Sequence, residues 1–304
     1  MPVINTNIAA NIAVGYLNIN QNSETSALAK LSSGSRITAA SDDAAGLAIS
    51  TRINSDVVAL QQAATNAAEA TSILQIADGG ASNISDILAR MKAITSEAAS
   101  GTTTDSSRAF IDSEFQNLLQ EIDSIATGTR YSGQPLLDGS FNTPPADPAG
   151  GGGAGGGGGA TPTPAPVTVL VGAQGSDTIG ISLADLRSAT LFPTGAGGGG
   201  QPTVNLDVKT QPDATKMLSL LDSAIDTVSN ARAEIGAQES RFNFSASSIQ
   251  TQTQNLQAAT STIRDVDVAA EQAALSSSQV KVSAAVSAEV AANSSMQALL
   301  KLFG

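Results

Sequence analysis

The sequence predicts a mainly α fold in which long antiparallel coiled-coil helices from both chain ends pack side by side, with a small β element and Gly/Pro-rich loops in the middle. Apolar residues alternate at steps of three and four in both halves of the 304-residue chain, as in a coiled-coil seam. Proline and glycine concentrate between residues 144 and 200 and interrupt the pattern there. Trp is absent and aromatic residues make up 3% of the chain, which favours closely packed helices with small side chains over a bulky core.

The first predicted helix has an apolar stripe and almost no charge. Residues 1–23 contain no charged side chain, and the first one is Glu24. A Ser/Gly cluster at residues 32–35 ends the helix. Because a solvated helix normally keeps one strongly hydrated face, the stripe predicts self-association. Its members recur at steps of three or four and are Ile4, Ile8, Ile12, Tyr16 and Ile19, extended by Leu28 and Leu31.

The second predicted helix begins near Ser41, where Asp42 and Asp43 can cap the first turn. We assign these carboxylates to capping rather than to metal binding, because adjacent carboxylates on a helix diverge. The seam runs on through Ala98, and Gly79-Gly80 is expected to interrupt or loosen it. A third helix that ends near Gly128 would complete an antiparallel hairpin. One face of it carries Phe115, Leu118, Ile122 and Ile125.

Short strands are predicted in the middle of the chain, at Val167–Val171 and Thr178–Leu183, with a further candidate at Val204–Val208. Glycine runs at residues 150–159 and 197–200 offer little to pack. The predicted domains are an N-terminal inner-core helix with its connector (1–42), a variable surface segment (141–204), a C-terminal inner-core helix (264–304), and the two halves of a central helical domain (43–140 and 205–263).

Helix returns in the last third of the chain. Buried positions are expected at the four-three spacing of Met217, Leu221, Ala224, Val228, Ala231 and Ile235. The final helix is nearly uncharged, since Lys281, Glu289 and Lys301 are the charged residues after position 271. A second self-assembly surface is predicted on this helix, formed by Val282, Val286, Val290, Met296, Leu299, Leu300 and Phe303.

Composition excludes several functional classes. The chain has no Cys and no His, which excludes disulfides, thiolate metal sites, zinc-protease motifs and Ser-His-Asp triads. We therefore expect no enzymatic activity and no catalytic, cofactor or metal site. A net charge of −12 argues against nucleic acid or an anionic membrane as a partner. The first 20 residues have neither a basic n-region nor a continuous apolar run, so we expect neither a cleavable signal peptide nor a membrane span.

Several segments resemble the bacterial flagellins. The opening INTNIAA and the stretch LAKLSSGSRITAASDDAAGLAISTR at Leu28–Arg52 resemble the family's N-terminal signature. GTRYSGQPLLDGS at 128–140 is similar to the segment that closes its N-terminal half. SAIDTVSNARAEIGAQESRFNFS at 223–245 and NLQAATSTIRDVDVAAE at 255–271 resemble the C-terminal half. Residues 141–204 are not covered, which implies a minimal flagellin with a much reduced outer domain.

The resemblance implies a structural subunit that self-assembles through its terminal helices into the extracellular flagellar filament for swimming motility. The implied partners are other copies of the chain, the flagellar type III export apparatus, a flagellin chaperone, the filament cap and hook-associated proteins. A hook–filament junction protein is the related alternative, and the nearly complete LSSGSRI…DDAAGLAI signature favours the filament subunit over it.

The resemblance also concerns an innate immune receptor that senses some flagellins through the central helix around LARMKAITSEA. Arg90 and Glu114 match the contact motif. Ala89 stands where recognised flagellins carry glutamine, and Ile94 where they carry leucine. We therefore expect weak or no recognition.

Overall fold

The structure is a computed structural model that describes residues 7–141, 166–192 and 206–303. Long α-helices dominate it, as predicted. The chain divides into two compact units, a terminal unit of Met1–Val58 with Thr253–Gly304 and a helical unit of Ala59–Gln252. In chain order the elements are α1 (Ile8–Ser33), α2 (Ala44–Ala99), α3 (Asp105–Gly128), β1 (Arg130–Tyr131), β2 (Gln134–Pro135), β3 (Val167–Leu170), β4 (Thr178–Ile181), α4 (Ser188–Leu191), α5 (Gln211–Arg264) and α6 (Val268–Phe303).

In the terminal unit, α1 and α6 pack side by side and run antiparallel. At one end, the Asn7 side-chain amide donates to the carbonyl oxygen of Ala292 at 3.1 Å. At the other end, Lys30 Nζ lies 4.0 Å from Glu271 Oε1. Asn7 also caps α1, because its Oδ1 accepts from the Ala10 N–H at 3.1 Å. This arrangement confirms the predicted pairing of helices from the two halves of the chain.

The connector between α1 and α2 is fixed to the break between α5 and α6. Gly34 ends α1 with φ of 68°, a left-handed conformation that favours glycine. The Arg36 N–H then donates to the Arg264 carbonyl at 2.6 Å, and the Val266 N–H donates to the Gly34 carbonyl at 3.2 Å. Asp43 Oδ1 accepts from the Gly46 N–H at 2.8 Å, which confirms that this carboxylate caps the start of α2.

One apolar core in the helical unit joins α2, α3 and α5. The six positions predicted from Met217 to Ile235 are all buried, and so are Phe115 and Ile122 of α3. The α2 seam follows a three-four spacing through many small residues. Its buried members are Leu60, Ala63, Ala67, Ala70, Leu74, Ala77, Ala81, Ile84, Leu88, Met91, Ile94 and Ala98.

The expectation that Gly79-Gly80 interrupts the second helix was wrong, because α2 is continuous from Ala44 to Ala99. Both glycines are helical, and the apolar seam passes them without a change of spacing. Gly80 is buried against Thr129 and Leu137, whereas Gly79 is exposed. Gly80 thus makes room for the segment that contains Thr129 and Leu137 and does not break the helix.

A hairpin that was not predicted follows α3. Strands β1 and β2 pair antiparallel through a two-residue turn, Ser132-Gly133. These two residues have φ of 50° and 87°, and positive φ at both central positions is what a type I′ turn requires. The turn places Tyr131 so that its hydroxyl donates to Glu69 Oε1 of α2 at 2.7 Å.

The middle of the chain contains the predicted hairpin, with β3 paired antiparallel to β4. Leu206–Val208 is not a strand, contrary to the prediction for 204–208, since the Val208 N–H donates to buried Asp112 Oδ1 at 3.0 Å. Part of the segment expected at the surface is instead core, because Ile181, Leu183 and Phe192 are buried. The glycine runs at 150–159 and 197–200, like residues 204 and 205, lie outside the described residues.

Across the described residues, no helix combines the length and apolarity needed to cross a membrane. In the same part of the chain, no group of three or more Asp or Glu residues is arranged to hold a metal ion.

Candidate assembly surfaces

Helix α1 presents three faces around its axis, each repeating with the 3.6-residue period of the helix. One face is the seam against α6, and its half-buried or buried members are Ala10, Ala13, Leu17, Asn20, Glu24, Ala27 and Leu31. The second face carries the predicted apolar stripe, and the third carries Asn11, Asn18 and Asn22. The large apolar residues of α1 therefore lie mostly outside the helix pair, whereas the seam itself is rich in alanine.

The predicted stripe is exposed. Ile8, Ile12, Tyr16 and Ile19 have exposed fractions of 63%, 55%, 61% and 59%. Leu28 is also exposed, on the other side of the seam, and Leu31 is half-buried within the seam. Ile4 lies outside the described residues. We call the four exposed residues from Ile8 to Ile19 the α1 stripe; they form a continuous apolar surface without a charged neighbour in the first four turns of the helix.

Helix α6 has a matching seam at Leu275, Ser278, Val282, Ala285 and Ala292. Val286 and Val290 lie beside this seam, with exposed fractions of 44% and 64%. Of the predicted α6 surface, then, Val282 packs within the chain, whereas the other two valines remain open. The side chains of Met296, Leu299, Leu300 and Phe303 lie outside the described residues.

The seam between α1 and α6 has few large apolar residues and two uncompensated charges. Glu24 and Glu289 occupy half-buried seam positions, and within the described residues neither forms an ion pair. The seam pairs small and polar groups, so the pair buries little apolar surface. The exposed apolar surface of the terminal unit is thus available for other molecules.

Sequence reasoning missed exposed aromatic residues in the helical unit. Phe110 on α3 and Phe244 on α5 have exposed fractions of 76% and 78%. Phe244 follows buried Phe242 by two residues, so it necessarily points away from the core side of α5. That offset from the buried seam is the signal in the sequence that identifies it as a surface residue.

Hydrogen bonds to Asp42 close the loop before α2, whereas Asp43 caps the helix itself. Asp42 Oδ2 accepts from the backbone N–H groups of Thr38 and Ala39 and from the Thr38 hydroxyl, each at 3.0 Å. The N–H groups of Ala39 and Thr38, with the Thr38 hydroxyl, lower the pKa of the Asp42 carboxyl. The side chain therefore acts as a local acceptor that closes the turn.

Arg90 and Glu114, the residues matched to the receptor motif, form an ion pair between α2 and α3. Arg90 Nη2 lies 2.7 Å from Glu114 Oε1, and Nε donates to the same oxygen at 3.0 Å. Both side chains are exposed, at 59% and 45%. The structure thus brings the two residues together at the surface of the helical unit.

Comparisons with known proteins identify the family. Residues 4–142 match the model of the bacterial flagellin N-terminal helical region, and residues 218–303 match that of the C-terminal helical region. The chain belongs to the bacterial flagellin family. It is 32% identical to a flagellin of Bacillus subtilis over 98% of this chain and 99% of that protein. It is 30% identical to the flagellar filament 30.7 kDa core protein of Treponema maltophilum over 99% of each chain.

This flagellin is a structural subunit that polymerises into the flagellar filament, outside the cell. Its family is one of filament proteins and not of enzymes. The matches span nearly the full length of these relatives, so the compact size fits a minimal flagellin.

Proposed function

We propose that copies of this flagellin polymerise through the α1 stripe and the open valines of α6. The observation that carries the proposal is the exposure of Ile8, Ile12, Tyr16 and Ile19 on a helix whose other side already pairs with α6. Burying an isoleucine side chain contributes about 1.5–3 kcal/mol. Several such residues in each copy would offset the entropy that a subunit loses when it joins a filament.

The proposal is tested by placing a charged side chain in the α1 stripe. Ile12→Asp should fold normally as a monomer, because Ile12 is exposed, and should fail to polymerise, because an unpaired buried carboxylate costs about 3–5 kcal/mol. Val290→Asp should behave in the same way. Asn18→Asp is the matched control, since it adds the same charge to the amide face of α1.

Assembly is measured by sedimentation and negative-stain electron microscopy after a precipitating salt or filament seeds are added at near-neutral pH. Far-UV circular dichroism verifies that each monomer is folded. Normal filaments from Ile12→Asp would contradict the proposal at that position. Equal loss in Asn18→Asp would show that the interface is not confined to the apolar faces.

We further propose that the subunit leaves the cell through the flagellar type III apparatus with a flagellin chaperone, and that it polymerises under the filament cap beyond the hook-associated proteins. Membership of the flagellin family supports these partners, and so does the absence of Cys, which leaves the chain free of disulfides during transport. The protein should reach the medium from cells with an intact flagellar export apparatus and remain inside cells that lack it.

For the innate immune receptor we propose weak or no recognition. Arg90 and Glu114, which match the contact motif, form an exposed ion pair between α2 and α3. The chain departs from the recognised motif at Ala89, where recognised flagellins carry glutamine, and at Ile94, where they carry leucine. In a receptor-reporter assay, Ala89→Gln with Ile94→Leu should raise the signal over the parent protein; a strong signal from the parent would contradict the proposal.

A further inference from the structure

A shallow groove of about 250 Å³ lies between α2 and β3 in the helical unit. Ile73, Val169 and Leu170 give it an apolar floor, and exposed Thr168 also lines it. Ile73 and Val169 are partly buried against the core, so the floor is fixed in position. A cavity of about 150 Å³ is enough to bind benzene, so this groove has room for one aromatic ring.

The rim of the groove is acidic. Glu69 lies one helical turn from Ile73 on the same face of α2. Glu69 Oε1 accepts from the Tyr131 hydroxyl at 2.7 Å, and in the described parts of the chain no Lys or Arg pairs with this carboxylate. On the other side, the Asn66 side-chain amide donates to the Leu170 carbonyl at 3.1 Å, which holds β3 against α2.

Helix α5 carries a surface of complementary chemistry. Phe244 is the most exposed large apolar residue of the described chain, at 78%. Arg241 is also exposed and lies one turn before Phe244 on the same face. No described carboxylate pairs with Arg241. The Phe244 ring and the Arg241 cation are thus one helical turn apart, as are Ile73 in the floor of the groove and Glu69 on its rim.

We propose that Phe244 of one copy inserts into the groove between α2 and β3 of a second copy, with Arg241 pairing with Glu69. The proposal rests on the polymerisation described above and adds a second contact, made by the helical unit rather than by the terminal helices. Phe244 and the groove lie at different places on the unit, so each copy can insert its Phe244 into the next copy while its own groove receives Phe244 from another. Such head-to-tail contacts build open helical polymers when they do not close into rings.

Phe110 does not fit the groove as well. It is equally exposed, but its neighbours one turn away are Ser106, Ser107, Ser113 and the already paired Glu114. It therefore offers no free cation for Glu69. This makes Phe110 the matched control for the experiment.

The first test is cross-linking, which the absence of native Cys makes unambiguous. Thr168→Cys and Ser248→Cys are exposed single variants that keep Phe244, and an equal mixture of the two can form the expected disulfide only between different copies. We expect a covalent dimer in oxidised filaments and none in oxidised monomers. A mixture of Thr168→Cys with Ser106→Cys should give none. Normal filaments that lack the disulfide between positions 168 and 248 would overturn this contact. Normal filaments that form a disulfide between positions 168 and 106 would also overturn it, and either result would leave the proposed function unaffected.

The second test measures the critical concentration for polymerisation. Phe244→Ala should raise it roughly tenfold, as for loss of an aromatic anchor, and Phe110→Ala should change it less than about twofold. Arg241→Glu should raise it roughly threefold, and adding Glu69→Lys should reverse most of that increase. Equal effects of the two Phe variants, or no reversal by the second charge change, would overturn the proposal. Failure of the parent protein to polymerise at all would instead contradict the proposed function.

Discussion

Gly80 of α2 lies against the side chain of Thr129 so closely that a Cβ atom on Gly80 would be 2.5 Å from Thr129 Oγ1 and 3.0 Å from its Cγ2. Both γ atoms of this β-branched residue face the glycine, so rotation about χ1 cannot clear the space. Thr129 is also held by its hydroxyl, which donates to the Ile125 carbonyl at 2.8 Å. Gly80 is thus the position at which α2 allows the end of α3 to approach it.

We expect Gly80→Ala to lower the free energy of unfolding by about 1–2 kcal/mol, because overpacking outweighs the gain in helix propensity. Gly79→Ala is the control, since no described atom outside the adjoining backbone of α2 lies within 4 Å of a Cβ there. That variant should be more stable than the parent by up to about 1 kcal/mol. Urea unfolding of the monomer measures both changes, and equal stability of the two variants would contradict the packing argument.

Thr95 is a stability defect in the core. Its side chain is fully buried, and its hydroxyl has no hydrogen-bond partner among the residues that the structure describes. Thr95→Val keeps the shape and helix propensity and removes the unpaired polar atom, so it should raise the free energy of unfolding by about 1–2 kcal/mol. Thr95→Ser keeps the hydroxyl and loses a methyl group, so it should be less stable than the parent by about 1 kcal/mol. An unchanged or lower midpoint for the Val variant in urea unfolding would show that the hydroxyl is satisfied in solution.

Arg108 closes the turn between α2 and α3. Its side chain is 8% exposed, Nε donates to the Ala98 carbonyl at 2.8 Å, and Nη2 donates to the Ser100 carbonyl at 3.0 Å. Arg108→Met would leave these carbonyls at the end of α2 without their donors, and we expect it to cost about 2–4 kcal/mol. Arg90→Met removes an arginine from an exposed ion pair and should cost less than about 1 kcal/mol. Thermal unfolding followed by circular dichroism compares the two, and similar losses would contradict the assigned role of Arg108.

Much of this fold could be predicted from spacing alone. The α5 positions from Met217 to Ile235 are all buried because larger apolar residues at intervals of four and seven, with Ala224 and Ala231 between them, leave one choice of face. Both strands of the β3–β4 hairpin were also found, since they lie between clear turn signals.

Where the prediction failed, tertiary packing or the shortness of an element outweighed the local sequence pattern. In α2 both glycines are helical and Gly80 is buried against Thr129, a contact that the local sequence does not reveal. In α1 the alanine face pairs with α6 and the isoleucines stay exposed, so their role in association remains a prediction. The β1–β2 hairpin was missed because its strands are two residues each, too short to show alternation.

The loop before α2 should lose stability in acid, because Asp42 must then be protonated. Hydrogen bonds from the N–H groups of Ala39 and Thr38, and from the Thr38 hydroxyl, lower the pKa of Asp42 in the folded state. A lowered folded-state pKa stabilises the fold above the unfolded-state value, about 3.9 for Asp, and this contribution is lost as the pH falls through the lowered pKa. Asp42→Asn retains an acceptor oxygen without the charge, so it should unfold at a lower temperature than the parent at pH 7. The difference should shrink below about pH 4 and then vanish. Thr38→Val removes one of the three donors, so its unfolding temperature should differ from that of the parent by a smaller, pH-dependent amount. If the unfolding temperatures of the parent and Asp42→Asn differ by the same amount down to the lowest pH, the Asp42 carboxylate does not stabilise this turn.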